Sequence, residues 1–165
     1  MHRLFVAALR AGIIAAFLGG LFGQIVVIPG TAADEVDQFP PYEPFALPYA
    51  TVAILGVLCV QVVLVALWML LGMIERDAIF TTRAFRWVDV IIGAAVAATL
   101  LALGITGHLA FADIPTPDGN MQIISALGAA GLSVGVGAAF AMLVVVMRGL
   151  LRKATDLQTE IAEVV

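Results

Sequence analysis

Charge is what this sequence has least of. Only 12% of its 165 residues are Asp, Glu, Lys or Arg, while 62% are hydrophobic. A soluble domain carries about 25% charged residues and is about half apolar. A chain this short cannot hide so much apolar surface in an interior of its own, so a soluble enzyme and a disordered tail are excluded and an integral membrane protein is expected. Cysteine is almost missing. Cys59 stands alone, which excludes an internal disulfide, a secreted disulfide scaffold and a zinc site built from several thiolates. Lysine is limited to Lys153, beside seven arginines, and Ala, Val and Gly are abundant, the bias of a GC-rich bacterial genome. The net charge is −4 and there is no basic face, so nucleic acid is not expected as a direct ligand.

What is present is long apolar runs. Crossing about 30 Å of hydrocarbon takes about 20 helical residues, and four runs qualify, at about 11–28, 49–74, 90–112 and 121–147. Each ends in a charge or a turn signal: Pro29-Gly30, Glu75-Arg76-Asp77, Asp113 with Pro115 and Pro117-Asp118-Gly119, and Arg148. The first run is read as a retained span. Met1-His2-Arg3 and Thr31-Ala32-Ala33 resemble the ends of a signal peptide, but an uncharged run of about 18 residues exceeds a signal core. The fold class expected is all-α: a polytopic membrane protein, one domain over 1–165, with a four-helix transmembrane bundle and a cytoplasmic C-terminal helical extension over 148–165.

The charges give the orientation. All eight basic residues fall at the N-terminal end (Arg3, Arg10), between spans two and three (Arg76, Arg83, Arg86) or after span four (Arg148, Arg152, Lys153). The other two loops hold Asp34, Glu35, Asp37, Glu43, Asp113 and Asp118 instead. The positive-inside rule then places both termini in the cytoplasm of a bacterial inner membrane. Aromatic residues sort with both surfaces: Trp68, Phe80, Phe85 and Trp87 inside, Phe39, Tyr42, Phe45, Tyr49 and Phe111 outside.

Helices in lipid associate through small residues and a few polar contacts. Gly19-x-x-x-Gly23 and Gly131-x-x-x-Gly135 are the candidate packing faces, within the bundle or between two copies. Polar residues inside the spans are few. Gln61, mid-span, is expected to hydrogen-bond across to another helix, with a substrate contact as the alternative. His108, near the outer end of span three, is expected to be wet and has no second His or Cys to join it in a metal site. Asp89 is expected in an inner-face ion pair with Arg86 and Arg10 that locks spans one and three, or as a proton-relay carboxylate. No Ser/His/Asp set, HExxH or phosphate-binding Gly loop is present. The expectation is a protein that is not an enzyme and needs neither cofactor nor metal.

The first outer loop holds Pro29, Pro40, Pro41, Pro44 and Pro48 among its acids, which predicts an extended cap. Thr81 or Thr82 is a fitting N-cap for the third helix, with Ile79 and Phe80 tucked under the bundle. In the tail, Leu150, Ala154, Leu157, Ile161 and Val164 recur every three or four residues, an apolar stripe opposite Arg152, Lys153, Asp156, Glu160 and Glu163. A stripe leaving the membrane must fold under its own bundle, pair with a second copy or dock a partner.

The run Leu150-Leu151-Arg152-Lys153-Ala154-Thr155-Asp156-Leu157-Gln158-Thr159-Glu160-Ile161 directly after a fourth span resembles the closing signature of domain-of-unknown-function family 2975. Ile79-Phe80, Arg83, Phe85 and Arg86 fit that family's inner loop, although an Asn and an Arg-Leu-Arg run are missing from it. The resemblance implies a four-span bacterial membrane protein with no assigned activity. It also implies a link to small helix-turn-helix regulators, and hence a membrane partner that holds or releases one.

The function expected is therefore an interaction or regulatory module of the inner membrane. Its tail (Leu150, Leu157, Ile161, Val164) and inner loop would contact a cytoplasmic protein or a second copy, with lipid around the spans. A small oligomeric transporter or channel component, with Gln61 and Asp89 in its path, is the alternative.

Overall fold

The computed structural model describes the backbone of residues 2–75, 82–112, 114–115 and 121–164, and side chains within 4–75, 83–112, 114–115, 121, 123–155. Five α-helices follow one another: α1 (His2–Phe22), α2 (Ile28–Gln38), α3 (Glu43–Ile74), α4 (Thr82–Phe111) and α5 (Met121–Val164). No strand occurs among the described residues. Four helical stretches, Leu4–Gln38, Pro40–Ile74, Arg83–Phe111 and Ile123–Thr155, are long and apolar enough to cross a membrane. The protein is thus a multi-pass, all-helical membrane protein. Thr81, Ile79, Phe80 and Asp113 lie outside the described residues, as do the side chains of Leu157, Ile161 and Val164.

The sequence predicts that Pro29-Gly30 ends the first span and that an extended cap follows. The structure corrects both expectations. A π-helical turn, Gly23–Val27, joins α1 directly to α2, and the Ile28 N–H donates to the Gly23 carbonyl. The wider turn sets Pro29 in the first turn of α2, where a missing N–H costs least. Thr31 Oγ1 donates to the Val27 and Ile28 carbonyls at 2.9 and 3.1 Å. The helix breaks only at Phe39, φ −142° and ψ 88°, because the proline after it disfavours helical backbone. Pro40 and Pro41 then open a 3-10 turn, Pro40–Tyr42, and Pro44 sits in the first turn of α3. The proline-rich segment is two helix ends meeting at a tight corner.

The helices pack in chain order: α1 and α2 on α3, α3 on α4, α4 on α5. Arg10 on α1 pairs with Glu75 at the end of α3, and Arg148 on α5 with Asp89 near the start of α4. Tyr49 near the start of α3 meets His108 near the end of α4. These contacts make successive spans antiparallel, with a basic end and an acidic end. A row of helices buries little. Among the described residues the buried apolar side chains are Val6, Ile13, Ala66, Leu71, Ala84, Ile91 and Ala95, and no large side chain is fully enclosed. The accessible surface is 11185 Å², against roughly 7,800 Å² for a compact soluble protein of this mass. The surplus is the apolar flank that lipid must cover.

Within a single copy the glycines in close contact are Gly20 and Gly137, while the faces of Gly19, Gly23, Gly131 and Gly135 are left open, as packing between two copies would require. A Cβ built on Gly19, Gly23, Gly131 or Gly135 meets nothing within 4 Å, whereas one on Gly20 lies 3.2 Å from Gln61 Nε2 and one on Gly137 lies 2.5 Å from Thr99 Oγ1. Each helical residue turns by about 100°, so a shift of one or two positions carries a small-residue face from a neighbour to lipid. Thr99 cannot yield, because it is β-branched and its Oγ1 is bonded to the Ala95 carbonyl at 2.8 Å. Gly137→Ala is therefore expected to cost about 1–3 kcal/mol by overpacking. Gly131→Ala is expected to be neutral or slightly stabilising, and reversible unfolding in mixed detergent micelles distinguishes the two.

Candidate functional site

The basic end holds the residues that the sequence reading favoured. Asp89 does not bridge spans one and three. Its Oδ2 accepts from Arg148 Nη2 at 3.0 Å and its Oδ1 lies 2.7 Å from Arg148 Nε, an ion pair with one hydrogen bond between α4 and α5. Arg10 instead pairs with Glu75 and sits 5.3 Å above the Trp68 ring. The expected cluster of Asp89, Arg86 and Arg10 is thus replaced by two separate clamps, with Arg86 exposed. Asp89 and Arg86 are three residues apart on one helix, but Arg148 of α5 is the residue that reaches Asp89, with a hydrogen bond from Nη2. The paired side chains are roughly 35–50% exposed, which keeps each pair to about 0–1 kcal/mol. Leu150, the first residue of the tail stripe, is 59% exposed on α5.

Gln61 is 5% exposed and packs on Gly20, and its Nε2 has no hydrogen-bond partner. The cross-helix bond expected from it is made by Gln24, whose Nε2 donates to the Ile54 carbonyl at 3.2 Å. Gln24 lies in the π turn and Ile54 on α3.

The acidic end carries a feature that the sequence reading missed. The row of helices curls there, and α2, the 3-10 turn, α3, α4 and α5 line one cleft of about 750 Å³, within the usual range for small-molecule sites. Phe39, Tyr42, Phe45 and Tyr49 form one wall, Glu35 and Gln38 its rim, and Leu109, Ile123, Ala126 and Ala129 the facing side. Phe39 and Tyr42 meet edge to face at 5.0 Å. His108 stands behind the wall. Its Nδ1 is 2.8 Å from Tyr49 Oη, and its ring packs on the edges of Tyr49 and Phe45 at 5.7 and 6.2 Å. His108 therefore buttresses two of the aromatic side chains. Among the described residues no three His, Cys, Asp or Glu are grouped to hold a metal. The signal that could have found the wall is the spacing of the aromatics at 39, 42, 45 and 49, which is helical rather than that of a loop.

The two glutamines yield opposite expectations. Gln61→Leu removes a buried donor without a partner and is expected to be neutral or to stabilise by about 1 kcal/mol. Gln24→Leu removes a made interhelical bond and is expected to cost about 0.6–2 kcal/mol. The same micelle unfolding assay reads both, and a larger loss at Gln61 would overturn this assignment.

No curated protein and no solved structure matches the chain. A family model described as a protein of unknown function, DUF2975, matches residues 30–165. That match runs from the start of α2 through the whole of α5 and covers most of the sequence. The chain belongs to the DUF2975 family.

Proposed function

We propose that this protein is a non-enzymatic module of the bacterial inner membrane, with both termini in the cytoplasm, and that its C-terminal helix docks a cytoplasmic protein. A small helix-turn-helix regulator is the partner class proposed. One observation carries the reading: α5 is a single helix of 44 residues. At 1.5 Å per residue it is about 66 Å long, roughly twice the hydrocarbon thickness. It spans the membrane up to Arg148 and continues as a rigid arm.

Three features support this arrangement. Leu150 is exposed on the arm, and Leu157, Ile161 and Val164 continue its stripe in sequence. Arg148 is tied to Asp89, which fixes the arm's root to α4. Arg152 and Lys153 follow at once, where anionic headgroups attract them. A conduit gains less from the structure. Gln61 is packed against Gly20, and Asp89 is held by Arg148 at the basic end.

In-cell crosslinking tests the proposal. The full chain is expected to capture a cytoplasmic protein that is lost both on truncation after Lys153 and in Leu157→Asp/Ile161→Asp. Capture that survives both changes would refute docking by the arm.

A further inference from the structure

We propose that the cleft at the acidic end is a binding site for an organic ammonium ion carried on an apolar body. The inference does not depend on what the tail binds. The cleft pairs an apolar, aromatic wall with a single carboxylate among its lining residues, Glu35. No ion pair holds that carboxylate among the described residues, and Glu35 is exposed at the rim. The stretch from Pro29 to Pro48 contains no Lys or Arg, while Asp34, Asp37 and Glu43 flank the rim. The local field therefore repels anions and concentrates cations.

The wall narrows the class further. Phe39, Tyr42, Phe45 and Tyr49 present four aromatic rings, whose electron-rich faces attract alkylammonium groups. Hydrated inorganic cations gain less here, because they need several oxygen ligands and no three carboxylates converge among the described residues. A neutral molecule gains from the wall but nothing from Glu35. An amine on a hydrophobic body uses both. Two sources share that chemistry: a soluble hydrophobic amine, and the ethanolamine headgroup of a lipid reaching in with its glycerol end.

Titration calorimetry on the full chain in dodecyl maltoside tests the site, with phenethylammonium as probe and phenylacetate as the anion of similar size. One saturable site per chain is expected for the cation and none for the anion. Glu35→Gln is expected to weaken the cation by about tenfold or more, as the loss of a charge-assisted contact does. Phe45→Leu, which keeps the apolar volume and removes the ring, is expected to weaken it several-fold. Asp37→Asn, an exposed acid outside the cleft, is the control and is expected to change it less than about twofold. Circular dichroism confirms that each variant is folded. Displacement of the probe by phosphatidylethanolamine, but not by phosphatidylglycerol, identifies a headgroup as the source. Displacement by neither identifies a soluble amine, and both results support the site. The proposal is overturned if the wild type shows no saturable binding, if Glu35→Gln and Asp37→Asn behave alike, or if phosphatidylglycerol displaces as well as phosphatidylethanolamine.

Discussion

The cost of placing a charge in hydrocarbon, several kcal/mol even with snorkelling, is the constraint on which the rest of this molecule depends. From Arg10 to Asp34, Glu43 to Glu75, Asp89 to Asp113 and Asp118 to Arg148, no residue is charged. The four helices long and apolar enough to cross a membrane lie over those gaps, and the charges that bound them make the two ends chemically different. One end gathers the arginines and closes its helices with Arg10–Glu75 and Arg148–Asp89. The other gathers carboxylates without a Lys or Arg to neutralise them, and the cleft lies there. The same solvent forbids unpaired backbone groups, which is why α1 runs through Pro29 into α2 by way of a π turn.

Inside the membrane the packing is lean. Helices in lipid gain nothing from excluding tails as apolar as themselves, so contact is decided by close approach at a few points. Gly20 against Gln61 and Gly137 against Thr99 are two such points. A row of helices held this way has two free flanks. At the acidic end the row curls until α2 and α5 share a cleft, and the aromatic residues of the corner at Phe39 are brought to face α5. Helix α5 therefore joins both ends of the molecule: its first turns line the cleft, and it runs on past Arg148 as one helix to Val164.

What was legible in the sequence was local. The apolar runs, the helical continuation of span four and the sorting of charge between the ends follow from residues read in order. What was not legible depends on rotation and on distant partners. Gly19 and Gly20 are adjacent, yet only Gly20 faces α3, and nothing in the sequence fixes that phase. Arg10 finds Glu75, Asp89 finds Arg148 and Tyr49 finds His108 across 65, 59 and 59 positions, pairings set by which helices are neighbours. Proline reads in sequence as a terminator. In lipid the demand for backbone bonds outweighs it, and the segment from Pro29 to Pro48 is almost wholly helical.

The separation of a basic end from an acidic end underlies both proposals, and the placing of the basic end in the cytoplasm is the claim on which the docking proposal stands. It is tested most directly by labelling intact cells with a membrane-impermeant maleimide, in a Cys59→Ser background carrying one new cysteine at Asp37 or at Lys153. The account predicts that the Asp37 position reacts in intact cells and the Lys153 position only after the membrane is opened. The reverse pattern, or equal labelling of both in intact cells, would contradict it.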